Sequence, residues 1–246
     1  MDIESFRRRV EVSHRIVVFT GAGISTDSGI PDYRSQGGIW DRFRPVYFDE
    51  FIESEEKRLL YWRRKQELWP ALVAAKPNAG HRLVRRFYDE GRLLGVITQN
   101  IDGLHELSGI PASSIVNIHG NTRETVCLGC GALLPTDAAL ELLERQQTAP
   151  RCPDCGGLLK PNTISFGQAL EESVLRKAVE LSEACDTMLA LGSTLVVQPA
   201  ATLPATAKEA GAWLGIVTLS ETPLDRIADA VLRMPLGEFA NLMEHA

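Results

Sequence analysis

The apolar runs in this 246-residue chain stop well short of the roughly 18 residues that a membrane-spanning helix needs. The opening stretch, MDIESFRRRVEVSH, lacks the apolar segment of an export signal, so the sequence predicts a cytoplasmic protein. Positive charge is in short supply too. Lys and Arg number 26 against 32 Asp and Glu, a net charge of −6, and a basic face for nucleic-acid phosphates is not expected. Neither an internal repeat nor a low-complexity linker breaks the chain. Its balance of 44% hydrophobic and 24% charged residues excludes a disordered tail protein. The length fits one to two domains with ample core, so size alone calls for no disulfide staple.

Cysteines are few, and four of the five are arranged. Cys127 and Cys130 form one C-x-x-C pair, Cys152 and Cys155 another, with 21 residues between the pairs. Thiolates two residues apart on a tight turn can point at one ion, and two such turns complete a tetrahedral Zn²⁺ site. Gly129, Gly131, Pro153, Gly156 and Gly157 supply the turns. The rivals are two disulfides or one redox-active pair, both disfavoured in a cytosolic chain. Four thiolates leave no open coordination position, so the zinc is expected to be structural. Cys185 stands alone after a helical pattern and reads as a small buried apolar residue.

Six short apolar runs, at 15–20, 93–98, 114–118, 187–191, 214–219 and 230–234, alternate with helix-like stretches. That alternation predicts an α/β fold, a Rossmann-like parallel sheet with helices on both faces. Asn78 is placed to cap one helix and Gly91 to stop it. The loops after the runs are more telling: Gly-Ala-Gly-Ile-Ser after the first, Gln-Asn-Ile-Asp-Gly-Leu-His after the second, His-Gly after the third. Gly-Ser-Thr follows the fourth and Ser-Glu-Thr-Pro the fifth. Ligands of open parallel sheets bind outside the carboxyl ends of the strands, so these five loops are expected to build one site.

Gly21 and Gly23 supply the first two glycines of a dinucleotide fingerprint, with Thr26 where the third would stand. Either a plain turn or a pyrophosphate cradle suits them, the glycines allowing close backbone approach. The Gly-, Pro- and Ser-rich continuation through residue 38 reads as a mobile cover over a ligand. Residues 1–37, 76–120 and 161–246 are assigned to the sheet domain. A helical module at 38–75 and a zinc-binding module at 121–160 form the smaller domain. Trp62 and Trp69, seven apart, mark the core face of the inserted helix.

The segments GAGISTDSGIPDYRS (21–35), TQNIDGLH (98–105), IHG (118–120), the four cysteines, KPNTISFG (160–167) and LGSTLVVQPA (191–200) together resemble a sirtuin. Sirtuins are NAD-dependent protein lysine deacylases, and the resemblance spans nearly the whole chain. It implies transfer of the acyl group to the cofactor's ribose, giving nicotinamide, 2′-O-acyl-ADP-ribose and free lysine. It further implies that Gly21, Ala22, Gly23, Asp32, Tyr33 and Arg34 surround the phosphates, ribose and nicotinamide. Gln99, Asn100, Ile101 and Asp102 would form the inner pocket, with Asn100 ordering the ribose and Asp102 holding the carboxamide. His119 would be the general base, suited by an imidazole pKa near working pH. Gly192, Ser193, Thr194 and Thr218 would meet the adenosine side. Ile164, Phe166 and Gly167 would line the acyl-lysine tunnel and pair with the substrate backbone as an added strand.

Bland readings stand beside these. A histidine directly after a strand, like His119, also suits a turn cap. Asp102 before a helical pattern suits an N-cap and can serve both purposes. His105 reads as a helix-start residue and His81 as a packing or capping group; His14 and His245 have no neighbouring motif. Several residues depart from the family's pattern: Gly192-Ser193-Thr194 reverses the usual order, and Thr218 replaces an asparagine. Tyr33 replaces a phenylalanine, while Ser165 and Gln168 stand where Phe and Glu are usual. Tyr61 and Arg64 fit the Tyr-x-x-Arg spacing of sirtuins that take acidic acyl groups, although counting from Gln66 shifts the expected tyrosine to Leu60; a solvated basic face is the alternative. Protein mono-ADP-ribosyl transfer, removal of longer acyl groups and a non-catalytic NAD-sensing zinc scaffold are the competing functions.

Overall fold

The computed structural model describes residues 2–32 and 43–244. All six predicted strands form, as β1 (Ile16–Thr20), β2 (Leu93–Thr98), β3 (Ile115–Asn117), β7 (Thr187–Leu191), β8 (Trp213–Val217) and β9 (Ala230–Leu232). They pair in parallel, in the order β3-β2-β1-β7-β8-β9. The order runs outward one way from β1 and the other way from β7, so the topological switch lies between those two strands. Every residue of β1 is buried because both faces are covered: Ile16 and Val18 join one apolar cluster, Val17 and Phe19 the other.

Helices α1 (Ile3–Glu11), α4 (Ala79–Asp89) and α9 (Leu236–Glu244) supply the first cluster through Phe6, Leu83, Phe87 and Phe239. On the opposite face, α7 (Glu172–Ala184) and α8 (Leu203–Glu209) supply Ala178, Leu203 and Ala207. Asn78 caps α4 as expected, its Oδ1 accepting from the Gly80 N–H at 2.9 Å, and Gly91 ends the helical run at φ +69°. The fifth apolar run outlasts its strand. Strand β8 ends at Val217, because its neighbour β9 ends at Leu232 and Thr218 N–H caps that carbonyl at 3.2 Å. Leu219, apolar by sequence, is released to solvent beyond the strand.

The insertions carry α2 (Phe48–Glu53), α3 (Glu55–Ala74) and α6 (Thr136–Gln146). With them comes a separate antiparallel sheet of β4 (Gly120–Cys127), β5 (Leu133–Pro135) and β6 (Leu159–Thr163), in the order β5-β4-β6. Helix α2 has no clear periodic signal; Glu50 closes it by accepting from Tyr47 N–H at 2.9 Å, and Phe51 drops into the core. Trp62 is fully buried and donates to the Leu159 carbonyl at 3.1 Å, while Trp69 donates to Asp137 at 2.7 Å. Both tryptophans share one apolar cluster with Cys127 and Cys152, so the helical and cysteine-bearing insertions have a common core. No helix among the described residues is long and apolar enough to cross a membrane.

Two histidines lie in the main core. Burial pushes His81 down to about 4 and His105 well below its ordinary value, so both are neutral in the fold. The unfolded chain binds these protons near pH 6.5 and the folded chain does not, so stability is lost as pH falls from about 6.5 toward 4. The His81 share is on the order of 3 kcal/mol. Urea midpoints should therefore drop between pH 7 and pH 5, and less so in a His81→Gln variant; identical slopes for the two proteins would contradict this.

Candidate functional site

The first residue beyond each of β1, β2, β3, β7 and β8 is pinned to the end of a neighbour. Gly21 N–H donates to Leu191, Gln99 to Thr20, Ile118 to Thr98, Gly192 to Val217 and Thr218 to Leu232, at 2.9–3.2 Å. The loops therefore leave the sheet side by side and enclose a cavity of about 1080 Å³, at the top of the range for ligand pockets. The floor lies at the switch between β1 and β7. There a Cβ on Gly21 or Gly23 would stand 2.8 Å from the Gly192 carbonyl oxygen, and one on Gly192 (φ +64°) 2.5 Å from the Ile24 nitrogen. These glycines are required by loop-against-loop contact; room for a ligand's phosphates is a consequence of the same bare backbone.

His119 sits on the cavity wall. Its Nδ1 lies 3.1 Å from the Gln99 carbonyl, which makes Nδ1–H the donor, and among the described residues nothing engages the Nε2 lone pair. Burial holds the imidazole below its ordinary pKa, opposed in part by that hydrogen bond. Beside it, the Asn100 amide Nδ2 donates to the Gly21 carbonyl and to Ser25 Oγ, both at 3.1 Å. Among the described residues, nothing hydrogen-bonds to the Asn100 Oδ1. Ser25 in turn donates to Asp102 Oδ2 at 2.7 Å, and Asp102 Oδ1 accepts from Leu104 N–H at 2.9 Å. The N-cap of the short helix α5 (Leu104–Leu107) is Gly103, one residue after Asp102, whose carboxylate meets only the first helical N–H; burial raises the aspartate's pKa. Gln99 Nε2 donates to Ser193 Oγ at 2.8 Å, joining the second and fourth loops.

Ala22, Asp32, Ile101, Thr194 and Thr218 also line this cavity, together with Ile164, Phe166 and Gly167 on the side of the smaller sheet. Ile164 N–H donates to the His119 carbonyl at 2.9 Å, which ties β6's exit to the imidazole loop. Tyr33 and Arg34, and most of the loop expected to cover the ligand, lie outside the described residues. Three contributions are not apparent from the sequence pattern. Ser25 is the hinge between Asn100 and Asp102, flagged only by a hydroxyl inside the glycine loop. Met234, Pro235 and Leu236 line the cavity after β9, where the strand-end rule applied to the sixth run points. Tyr47 pairs with Phe166 at 5.9 Å from a segment with no motif.

The four expected ligand cysteines converge, all four Sγ atoms lying within 4.8 Å of one another. Cys127 and Cys155 are 3.4 Å apart and Cys130 and Cys152 3.8 Å apart, close to the roughly 3.8 Å edge of a tetrahedron with 2.3 Å Zn–S bonds. Backbone N–H groups of Gly129 and Gly157 point at Cys127 and Cys155 sulfurs at 3.3 and 3.4 Å. A Cβ on Gly157 would come within 2.9 Å of Cys127 Sγ, so only glycine fits that knuckle. The donor set fits one structural zinc ion. Cys185 is buried away from it.

The Sir2 family profile matches residues 21–199. An NAD-dependent protein deacetylase of Rhodopseudomonas palustris is 43% identical over 96% of this chain and 93% of its own length. One of Thermotoga maritima is 39% identical over 98% and 96%. A solved Sir2–p53 peptide–NAD+ complex superposes with a TM-score of 0.85 at 37% identity, covering 99% of this chain and 98% of that one. This chain belongs to the Sir2 family. As a sirtuin it carries two local departures that explain each other: Gln168 Oε1 accepts from Ser165 N–H at 3.1 Å, and Gln168 N–H returns to the Ser165 carbonyl at 3.0 Å. The pair closes a turn around Phe166 and Gly167, leaving fewer free backbone groups there than an open strand edge has.

Metal analysis of this sirtuin should give one zinc per chain. Cys127→Ala should lose the metal and with it much of the apparent 10–16 kcal/mol that structural zinc typically contributes. Unchanged melting and metal content in that variant would defeat the assignment.

Proposed function

We propose that this sirtuin removes acetyl groups from protein lysines in an NAD-dependent reaction. The observation that carries the reading is His119: a neutral imidazole on the wall of the strand-end cavity, its Nδ1 anchored on Gln99 and its Nε2 lone pair met by no partner among the described residues. Names and complexes of the relatives point to the same chemistry, including a Sir2 protein solved with a propionylated peptide. The proposed frame is a sheet domain of 1–37, 76–120 and 161–246 with a smaller domain of 38–75 and 121–160, in the cytoplasm.

Bare backbone at Gly21, Ala22, Gly23 and Gly192 fits a pyrophosphate, whose oxygens need close N–H groups. Asp32, Tyr33 and Arg34 are assigned to the ribose and nicotinamide side, Ser193, Thr194 and Thr218 to the adenosine side. When bound, NAD supplies an electrophilic ribose carbon bearing nicotinamide as leaving group, with a neighbouring hydroxyl. Asn100 can accept a ribose hydroxyl hydrogen at Oδ1, because its N–H groups are occupied by Gly21 and Ser25. Asp102 and Ile101 hold the carboxamide end. His119 takes a proton from the ribose hydroxyl at Nε2, which its depressed pKa keeps available at neutral pH. Ile164, Phe166 and Gly167 receive the acyl-lysine segment. Zinc stays structural, holding the smaller sheet that carries this segment.

A second reading concerns the acyl group. Tyr61 and Arg64 line the same cavity, which favours some acceptance of acidic acyl chains. Against it, Tyr61 meets Thr163 Oγ1 at 3.4 Å, and Arg64 donates to the Arg44 carbonyl and stacks on Phe43. Acetyl is therefore the preferred group. A panel of acetyl, succinyl and longer acyl peptides should show the fastest NAD-dependent nicotinamide release with acetyl; labelled ADP-ribose retained on protein would favour the transferase alternative.

His119→Ala should lower deacetylation by about 10²–10⁴-fold while NAD+ affinity stays within about threefold. Because the base must be unprotonated, the wild-type rate should fall with acid through a pKa below 6.5 and be flat above it. Full activity in the variant would remove His119 as the base.

A further inference from the structure

His81 and His105 form a buried pair that the reaction does not use directly. They are 0% and 1% exposed, and their ring centroids stand 5.0 Å apart. Among the described residues, each has one buried ring nitrogen without a hydrogen-bond partner, Nε2 of His81 and Nδ1 of His105. Buried polar atoms of this kind are costly and call for a reason.

The His105 tautomer is set by its other bond. His81 Nδ1 has Asn78 N–H at 3.4 Å, within the capping box of α4, and Asn78 Oδ1 at 3.1 Å, contacts that suit either tautomer. On the other ring, Thr20 Oγ1 gives its own hydrogen to Thr98 Oγ1 at 2.8 Å, so it accepts from His105 Nε2 at 3.0 Å. His105 therefore carries its proton on Nε2 and a lone pair on Nδ1. Neither unpartnered nitrogen bonds to the other ring, so the sequence of donors starts at the His105 Nε2–H.

The chain of donors ends at the site. Thr98 Oγ1 accepts from the backbone N–H of Asn100 at 3.0 Å. Beside His81, Asn78 Nδ2 holds the glycine loop through the Ile24 carbonyl at 2.7 Å and Ser28 Oγ at 2.9 Å. We propose that His105 is a positioning residue for Asn100. The one-way sequence of donors from its Nε2–H through Thr20 to Thr98 fixes the Thr98 lone pair that seats the Asn100 backbone. That seating sets the side chain's Oδ1 toward the ribose. The His105 ring is neutral, so the sequence keeps one polarity across the working pH range. The proposal rests on the role given to Asn100 above.

The test is steady-state nicotinamide release by the full-length, zinc-loaded protein at saturating NAD+ and acetyl-peptide, with melting temperature measured alongside. His105→Leu removes the Nε2 donor and should slow turnover about tenfold or more, with KM for the peptide within twofold. His105→Gln restores an N–H toward Thr20 and should return the rate to within threefold. Thr20→Val cuts the same chain, keeps its shape and carries the test if His105→Leu fails to fold. The double variant His105→Leu/Thr20→Val should be no slower than either single change, because both break one path. Wild-type turnover in His105→Leu or Thr20→Val, or effects that multiply in the double variant, would overturn the proposal. Asn100→Ala separates the two levels. If it is slow while Thr20→Val and His105→Leu are fast, positioning fails and the role of Asn100 stands; if Asn100→Ala is itself fast, that role fails and the proposal goes with it.

Discussion

Contact between two bare backbones, Gly21–Gly23 after the first strand and Gly192 after the fourth parallel one, sets the geometry on which the rest depends. A methyl group at any of the three would collide with a main-chain atom that cannot step aside. The contact falls where the sheet's strand order reverses, and the five edge hydrogen bonds carry it outward to every loop. A cavity at that place is a consequence of topology. What makes it this cavity is the set of polar groups delivered there, among them the His119 imidazole, the Asn100 carboxamide, the Asp102 carboxylate and the Ser25 and Ser193 hydroxyls, each hydrogen-bonded to a neighbouring loop.

Those groups are held by burial as much as by bonds. The Asn100 amide spends its donors on Gly21 and Ser25, so only an acceptor is left to meet a ligand. His119 spends its Nδ1 on Gln99 and is left with a lone pair. In both cases the scaffold uses up one polarity and presents the other, a form of preorganisation that costs nothing further when a ligand arrives. The smaller sheet closes the opposite wall. Its own core is slight and includes Cys127 and Cys152, so two of the four metal ligands also belong to the apolar packing, while Cys130 and Cys155 are exposed.

Much of this is legible in the sequence because parallel strands buried on both faces read as unbroken apolar runs, and the loop after each such run has one place to go. The two-by-two cysteine spacing is legible for the same reason of geometry. The runs mislead at their ends: Thr218 and Leu219 look like strand, yet the strand stops where its partner stops, a fact held in β9 and not in the local pattern. Asp102 suits cap and pocket together, and its two oxygens do divide between Leu104 N–H and Ser25. Ser25, Thr98 and Thr20 carry no such signal. A hydroxyl in a loop or at a strand end has many uses, and only the fold brings 20, 25, 98 and 105 to one point.

A structure of the protein soaked or crystallised with NAD+ tests the central claim most directly. The account predicts the pyrophosphate against Gly21–Gly23 and Gly192, and a ribose hydroxyl within about 3.2 Å of His119 Nε2. A dinucleotide seated elsewhere, or an imidazole whose Nε2 faces away from the bound ribose, would contradict it.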